Sequence, residues 1–184
     1  MMYVIIFVSI VTVIAMWMMI NYNGLIHRKS LVQEAWSGID IQLKRRYDLI
    51  PNLVTLVQGY SLHEKNIIEN ILLARVASMG AVSVDQKEKA ELSLNYSLKS
   101  LFALAEQYPD LKANENFLAL QKELSNIEDE LQLARRYYNG TVRHYMIKVM
   151  QFPSNIIARL FEFQTISYFE LTQTEESQVP QIKF

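Results

Sequence analysis

The sequence predicts an all-α protein in which an N-terminal transmembrane helix is followed by an elongated antiparallel bundle of about four long helices. Three observations predict this fold class. The first twenty residues contain no charged side chain, whereas all later stretches mix apolar with charged residues. Apolar residues in those later stretches recur at helical spacing. The chain also has only five glycines and four prolines, too few for the many turns of a strand-rich fold.

Residues 1–20 are long enough to cross a membrane, because about 20 apolar residues cover a hydrocarbon core of roughly 30 Å. Tyr3, Trp17 and Tyr22 lie near the ends of this segment, where aromatic rings prefer the membrane interface. A cleaved signal peptide is the alternative, but it has a basic start and a small-residue cleavage site, and this segment has neither. We therefore expect an uncleaved transmembrane anchor over residues 1–22.

The basic residues nearest the span predict its orientation. No lysine or arginine precedes the span, whereas Arg28 and Lys29 follow it closely and residues 44–46 follow later. Loops rich in lysine and arginine remain on the cytoplasmic side of a membrane. We therefore expect a single-pass protein with its amino terminus outside and its helical body in the cytoplasm.

The helical bundle is predicted over residues 23–170. Ser30 is expected to cap its first helix, and Pro51 predicts a kink, or alternatively a break, because proline removes a backbone donor. The positions that face other helices recur at alternating steps of four and three, the spacing of helix-on-helix packing. These positions are Val32, Trp36, Ile39, Leu43, Arg46, Ile50, Leu53, Val57 and Tyr60.

Three further long helices are expected in the body. The second extends from His63 to about Met79, and the third ends at Pro109. Asn114 is expected to cap the fourth and longest helix, which ends near Gln151. The apolar register of this helix is the clearest in the chain: Phe117, Leu120, Leu124, Ile127, Leu131, Ala134, Tyr138, Thr141 and Tyr145.

The end of the chain is expected to hold one short helix and a tail. Phe152 and Pro153 stop the long helix, and Ser154 or Asn155 is expected to cap a short helix that continues through Phe163. Residues 171–184 turn polar, and we expect them to be disordered.

Several blocks of the sequence resemble the signature of the LemA family, in the order that the family has them. These blocks are residues 21–25 (NYNGL), 35–53 (AWSGIDIQLKRRYDLIPNL), 59–64 (GYSLHE), 108–114 (YPDLKAN), 134–139 (ARRYYN) and 152–155 (FPSN). The resemblance implies an N-terminal transmembrane helix, an antiparallel bundle of long helices and the cytoplasmic membrane of a bacterial cell. It implies no catalytic residue and no cofactor, because the family has none established.

The charged cluster Lys44, Arg45 and Arg46 is the first candidate site. Because Arg46 occupies a position that faces other helices, we interpret the cluster as the source of structural ion pairs with acidic residues of the longest helix. The acidic residues of suitable type there are Glu123, Glu128 and Glu130. A patch that binds anionic lipid or an acidic partner is the alternative.

The short terminal helix is the second candidate site. Its apolar residues are a predicted interaction surface: Ile156, Ile157, Leu160, Phe161 and Phe163. Packing on the bundle or on a partner helix is the favoured use, since membrane-surface helices usually carry several basic residues and this one has a single arginine. Contact with the membrane surface is the alternative.

The sequence contains no recognisable catalytic, metal or cofactor motif. There is no cysteine, and His63 with Glu64 lacks the second histidine that a zinc-protease helix needs at position 67. Eighteen basic and nineteen acidic residues nearly balance, which argues against nucleic acid as a partner. We therefore expect no enzymatic activity, no cofactor and no small-molecule substrate.

These observations lead to one functional hypothesis and two alternatives. The hypothesis is a membrane-anchored helical scaffold or adaptor that acts through a protein partner or through homo-oligomers. The first alternative is a membrane-remodelling or lipid-organising protein. The second is a cryptic enzyme that uses residues such as Asp40, Arg46, Asp48 and His63.

Overall fold

The computed structural model describes residues 1–60 and 64–170, and all regular elements in these ranges are helices. They are α1 (Met2–Gln58), α2 (Lys65–Gly80), α3 (Val84–Ala105), α4 (Pro109–Lys112), α5 (Glu115–Met150) and α6 (Ser154–Leu160). The predicted all-α fold is confirmed, with four long helices and two short ones. His63 and the predicted tail, residues 171–184, lie outside the described residues.

Helix α1 joins the predicted anchor and the first helix of the body without interruption. The expectation that Ser30 caps a helix is wrong, because Ser30 lies in the middle of α1, where backbone donors already bond to the preceding turn. The alternative of a break at Pro51 is also wrong, since α1 continues through Pro51 to Gln58. The kink at Pro51 stays a prediction.

The helix-facing positions predicted from spacing are largely confirmed. On α1, Trp36 is partly buried and Tyr60 is exposed beyond the helix end, whereas the other predicted positions from Val32 to Val57 are buried. On α5, six of the nine predicted positions are buried: Phe117, Leu124, Ile127, Leu131, Tyr138 and Tyr145. The periodicity therefore identified the core side of both long helices.

The residues form two compact units, and both α1 and α5 contribute to each of them. Among the described residues, unit 1 comprises 1–40 and 132–168, and unit 2 comprises those in the range 41–131 together with Phe169 and Glu170. Within unit 1, α1 and α5 are antiparallel, because Asn21 is bonded to Lys148 while Trp36 contacts Tyr138. Within unit 2, α2 packs against α3.

Capping side chains define the starts of α3 and α5 in unit 2. Ser83 begins α3 with a capping box, in which its side chain accepts from the backbone of Gln86 and the Gln86 side chain accepts in return. The predicted cap of α5 is confirmed, since Asn114 Oδ1 accepts from two backbone N–H groups of the first turn. α3 ends at Ala105, earlier than expected, because Pro109 begins the separate short helix α4.

The start of α6 differs from the prediction. Neither Ser154 nor Asn155 caps it; the residue before its first turn is Pro153, which has no side-chain cap bond. The Ser154 hydroxyl instead lies within bonding distance of the carbonyl oxygens of Lys148 and Gln151, at the end of α5.

The end of α6 also differs from the prediction. α6 ends at Leu160, before Phe163, and Glu162 beyond it has a φ of 54°, a left-handed conformation that cannot continue a right-handed helix.

Candidate functional site

A buried ion-pair cluster lies at the centre of unit 2. The Arg46 guanidinium donates to Glu91 at 2.9 Å and also to the side-chain oxygen of Asn95. A Glu128 oxygen lies 3.6 Å from the same guanidinium. Arg46 and Glu91 are almost fully buried, so this pair joins α1 to α3 in a region without bulk water.

Tyr47 extends the cluster on its α1 side. Its hydroxyl donates to the second oxygen of Glu91, and its backbone carbonyl accepts from Arg75 of α2 at 2.8 Å. Burial raises the pKa of the Tyr47 hydroxyl well above its ordinary value, and the nearby charge of Glu91 raises it further. Tyr47 therefore remains protonated and keeps donating to Glu91 over the whole neutral range.

The other residues of the predicted charged cluster lie on the surface. Arg45 forms an ion pair with Glu123 at 2.8 Å, and both side chains are about half exposed. Lys44 and Glu130 are exposed. The structure thus brings Arg45 to Glu123 and Arg46 to Glu128, two of the acidic residues that the sequence analysis selected by type.

Sequence reasoning missed Glu91, the main partner of Arg46. The position of Glu91 in the sequence could have identified it. Glu91 lies three residues before Leu94, on the helix face that also holds Leu98, Leu101 and Ala105. A carboxylate on an otherwise apolar face predicts a buried partner of opposite charge.

A second candidate site is the exposed apolar side of α2. We call Leu72, Leu73, Val76 and Met79 the α2 outer face; these side chains are 36%, 61%, 62% and 54% exposed. The opposite side of α2 is buried through Ile68, Ile71, Ala74 and Ser78. Along the outer face runs an open groove of about 620 Å³ whose lining includes Gln58, Lys65 and Glu69. α2 is therefore apolar on two sides, of which only one is covered.

A third candidate site lies in unit 1, where α6 packs on α1. We call residues 17–25 of α1, the end of α5 from Ile147, and the segment from Phe152 through α6 to Phe163 the membrane-proximal corner. Leu25 forms a buried cluster with Ile157 and Ala158 of α6. The ring of Tyr22 lies 4.7 Å from that of Phe161 and 5.8 Å from that of Phe163, measured between centroids.

The predicted anchor residues differ in their surroundings. Helix α1 is long and apolar enough to cross a membrane, and its most apolar 18-residue window is not buried at all. Tyr3 is exposed, as its neighbours are, whereas Trp17 and Tyr22 are partly buried against the cluster of Leu25. Two of the three aromatic residues expected at the membrane interface therefore contact the protein itself.

The predicted interaction surface on the terminal helix needs one correction. Ile157 is buried against Leu25, so it belongs to the core of unit 1 rather than to an exposed surface. Phe163 is partly buried against Tyr22. Ile156, Leu160 and Phe161 remain exposed, because they lie on the other side of α6 or just beyond its end.

The residues named for a cryptic enzyme are divided between the two units, and one of them lies outside the described residues. Asp40 belongs to unit 1, whereas Arg46 and the exposed Asp48 belong to unit 2. His63 lies outside the described residues. Within residues 1–60 and 64–170, no three histidine, aspartate or glutamate side chains are grouped as a metal ion requires.

Comparison with known proteins gives one family and several relatives. The model of the LemA family matches residues 35–184. Protein LemA of Metamycoplasma hominis is 28% identical over 162 residues, which cover 85% of this chain and 72% of the relative. Magnetosome protein MamQ 2 of Paramagnetospirillum magneticum is 22% identical over 191 residues, covering 89% of this chain and 70% of the relative. Magnetosome protein MamQ of Magnetospirillum gryphiswaldense is 22% identical over 178 residues, covering 83% and 65%.

Proposed function

The chain belongs to the LemA family, and from this premise we propose that it is a membrane-anchored scaffold that joins proteins by helix packing. The α2 outer face is the observation that carries the proposal. A helix that is apolar on both sides is normally covered on both sides, yet Leu73, Val76 and Met79 are more than half exposed. The partner in this proposal is an apolar side of another helix, from a second copy or from a different protein.

The anchor of the proposed scaffold is the charge-free start of α1. Its most apolar 18 residues include none that is buried, and only those near its end, such as Trp17 and Met18, are partly covered by the protein. We place the amino terminus outside and the body in the cytoplasm, because Arg28 and Lys29 follow the span and no basic residue precedes it. The proposed address is the cytoplasmic membrane of a bacterial cell, which the family resemblance implied.

The size of the α2 outer face agrees with a specific but modest association. Burying one fully exposed large apolar side chain is worth roughly 1.5–3 kcal/mol. The face has four side chains that are between 36% and 62% exposed, so each contributes about half of that value when it is covered. The loss of translational and rotational freedom on association costs ~4–15 kcal/mol, which is of the same order. Anchoring both partners in one membrane raises their local concentration and reduces this cost.

The proposed activity requires no catalysis. The buried cluster around Arg46 satisfies its charges internally through Glu91, Asn95 and Glu128. In the proposal this cluster positions α1, α3 and α5 of unit 2, which in turn keeps α2 in place. The protein then works as a rigid support for its binding face.

The test compares the full-length protein with a variant of the α2 outer face. Tagged protein is extracted in a mild detergent, and its mass and co-purifying proteins are measured. We expect a defined multiple of 21.4 kDa or a stoichiometric second protein. The double substitution Leu73→Glu with Val76→Glu is expected to abolish either association, because two carboxylates would have to be buried at the contact.

The matched control is Leu118→Glu, which places the same charge at an exposed apolar residue of α5 in the same unit. This variant is expected to associate as the unchanged protein does. A wild-type chain that is monomeric and carries no second protein would contradict the scaffold. So would an α2 variant that folds and associates as strongly as the control.

A further inference from the structure

The membrane-proximal corner begins where the charge-free span ends. Trp17, Met18 and Tyr22 of α1 pack against the cluster formed by Leu25, Ile157 and Ala158. A span that starts at Met1 covers roughly 30 Å of hydrocarbon by about residue 20. The face of α1 that receives α6 is therefore at the boundary between hydrocarbon and lipid headgroups.

A polar bond holds α5 at the same level of α1. Lys148 Nζ donates to Asn21 Oδ1 at 2.8 Å, while Asn21 donates to the backbone carbonyl of Trp17. Asn21 is itself buried, so this bond lies within the contact between the two helices. The end of α5 and the start of α6 are thus fixed beside the last turn of the span.

The corner exposes a concentration of large apolar side chains on its outer side. Exposed apolar residues occur at the end of α5, at the turn into α6, along α6 and just after it: Ile147, Met150, Phe152, Ile156, Leu160 and Phe161. Each is close to half exposed or more. Ile157 and Ala158 of α6 are covered, so the exposed side of α6 is the one that holds Ile156 and Leu160.

The charge around this corner is mostly positive, and Glu162 is its one acidic residue. No acidic residue occurs in residues 1–33 or in residues 132–161, and Glu162 is the first after them. The basic residues in these two segments are Arg28, Lys29, Arg135, Arg136, Arg143, Lys148 and Arg159. Unit 1 has these seven lysines and arginines against three acidic residues, Glu34, Asp40 and Glu162, so its charge is positive although the whole chain has a net charge of only −1.

We propose that the membrane-proximal corner is a binding site for the surface of an anionic phospholipid bilayer. The apolar side chains of α6 enter the interface, and Arg159 and Arg143 face the negative headgroups. The span alone leaves unit 1 free to tilt, whereas this second contact fixes it against the membrane. This inference rests on the anchor of the proposed scaffold and extends the role of the corner from packing to lipid recognition.

A bilayer fits this surface better than a protein partner does. The surface is continuous with the span, so a bilayer that surrounds the span also reaches it. A short helix with one arginine binds membranes weakly by itself, but α6 is held in place by α1, and Lys148 of α5 adds a second basic residue beside Asn21 at the same level of α1. The fold therefore supplies the fixed position and the additional positive charge that the short helix lacks by itself.

The chain has no cysteine, so a single cysteine can report on the corner in the full-length protein. An environment-sensitive fluorophore is attached to Leu160→Cys, and the protein is reconstituted in vesicles of phosphatidylcholine with or without phosphatidylglycerol. Brominated lipids quench a label in the bilayer, and aqueous iodide quenches a label in water. Leu118→Cys, an exposed position in unit 2, is the matched control.

We expect the Leu160→Cys label to be quenched by brominated lipid, protected from iodide and shifted to the blue, most strongly with phosphatidylglycerol. The Leu118→Cys label is expected to respond only to iodide. Equal iodide quenching at both positions would overturn the proposal, and so would a response unaffected by phosphatidylglycerol. Protection from iodide without quenching by brominated lipid indicates a protein contact and also overturns it.

The outcome is distinguishable from a failure of the scaffold or of its anchor. Flotation of the reconstituted chain with the vesicles after alkaline washing tests the anchor independently. A chain that floats with a water-exposed Leu160→Cys label keeps its anchor and loses only the corner proposal. The mass measurements on the variants of the α2 outer face test the scaffold independently of the anchor and of the corner.

Discussion

Arg46 shows how a single residue connects a bundle. A buried charge is costly unless it is paired, and here Arg46 has Glu91, Glu128 and Asn95 around it. Such a pair adds little net stability over apolar residues of equal size, but the loss of one partner leaves the other uncompensated. The cluster therefore specifies which faces of α1 and α3 meet.

Arg46→Met is expected to lower the free energy of unfolding by about 3–5 kcal/mol, since Glu91 is left buried without its cation. Combining it with Glu91→Leu is expected to recover part of that loss, because no unpaired charge then remains at the pair. Denaturant titration of the full-length protein in mild detergent, followed by circular dichroism, measures both effects.

The exposed pair Arg45 and Glu123 provides the control for this cycle. Removing it through Arg45→Met with Glu123→Leu is expected to cost less than about 1 kcal/mol, because water already screens both charges. An Arg46→Met protein with unchanged stability would refute the structural role and favour a binding role for this residue.

Because the Tyr47 hydroxyl is buried, we expect the stability of the folded protein to fall at alkaline pH. The pKa of Tyr47 is raised in the folded state, first by burial and then by Glu91, and burial also raises the pKa values of Tyr138 and Tyr145. Above the ordinary tyrosine pKa of 10.0, the unfolded chain releases these protons while the folded chain retains them. Their contribution is therefore fully present below that pH and is lost as the pH rises.

The measurement is the melting temperature as a function of pH, from about pH 8 to pH 12. Tyr47→Phe is expected to be less stable at neutral pH, because Glu91 loses a donor, but its stability is expected to fall less steeply above pH 10.0. Tyr137→Phe removes a hydroxyl from an exposed position and serves as control. Equal alkaline slopes for the unchanged protein and Tyr47→Phe would refute the prediction.

At the scale of the element, local side-chain interactions and backbone conformations set several of the helix ends. The capping box at Ser83 starts α3, and the left-handed residue Glu162 prevents α6 from continuing. Pro109 was expected to end the third long helix. It instead begins the short helix α4, where the first position needs no backbone N–H. Local chemistry thus decides where helices stop, even where apolar spacing suggests that they continue.

Asn114→Ala is expected to destabilise the protein by about 1 kcal/mol through the loss of the α5 cap. Asn114 Oδ1 accepts from the N–H of Asn116 at 2.9 Å and from that of Phe117 at 3.2 Å. Thermal unfolding measures the loss. Asn116→Ala changes an exposed neighbour in the same turn and is expected to have a smaller effect; a loss as large as that of Asn114→Ala would argue against the cap.

At the scale of the whole molecule, one helix carries both the span and part of each unit. α1 continues from Met2 to Gln58, and its residues take part in unit 1 and then in unit 2. The apolar start of α1 is therefore joined to the rest of the chain by helix rather than by a linker. In the proposed topology, the basic residues that follow the span place the α2 outer face in the cytoplasm.

The proposed orientation is tested with single cysteines in the chain, which has none of its own. A thiol reagent that does not cross membranes is expected to label Met2→Cys in intact cells and Leu118→Cys only after the cells are broken. The physical reason is that Arg28, Lys29 and the basic residues of unit 1 remain in the cytoplasm. The reverse labelling pattern would place the body outside and reject the orientation.

The sequence by itself determined the helical class, the N-terminal helix that is apolar enough to cross a membrane, and the core side of the long helices. These properties depend on local composition and periodicity, and α5 illustrates them, because its apolar register from Phe117 to Tyr145 matches the buried positions closely. The cap at Asn114 was also predictable, since capping depends on a side chain and the backbone a few residues away.

Only the tertiary structure decided which residues meet across the chain. Glu91 became the partner of Arg46 although 45 residues separate them, and α6 came to lie on the end of the span 132 residues before it, where Ile157 covers Leu25. Spacing in one helix identifies which face is buried, but it contains no information about which other helix covers that face. Which helix covers which face decides three features of this protein: the partners of Arg46, the exposed side of α2 and the position of α6.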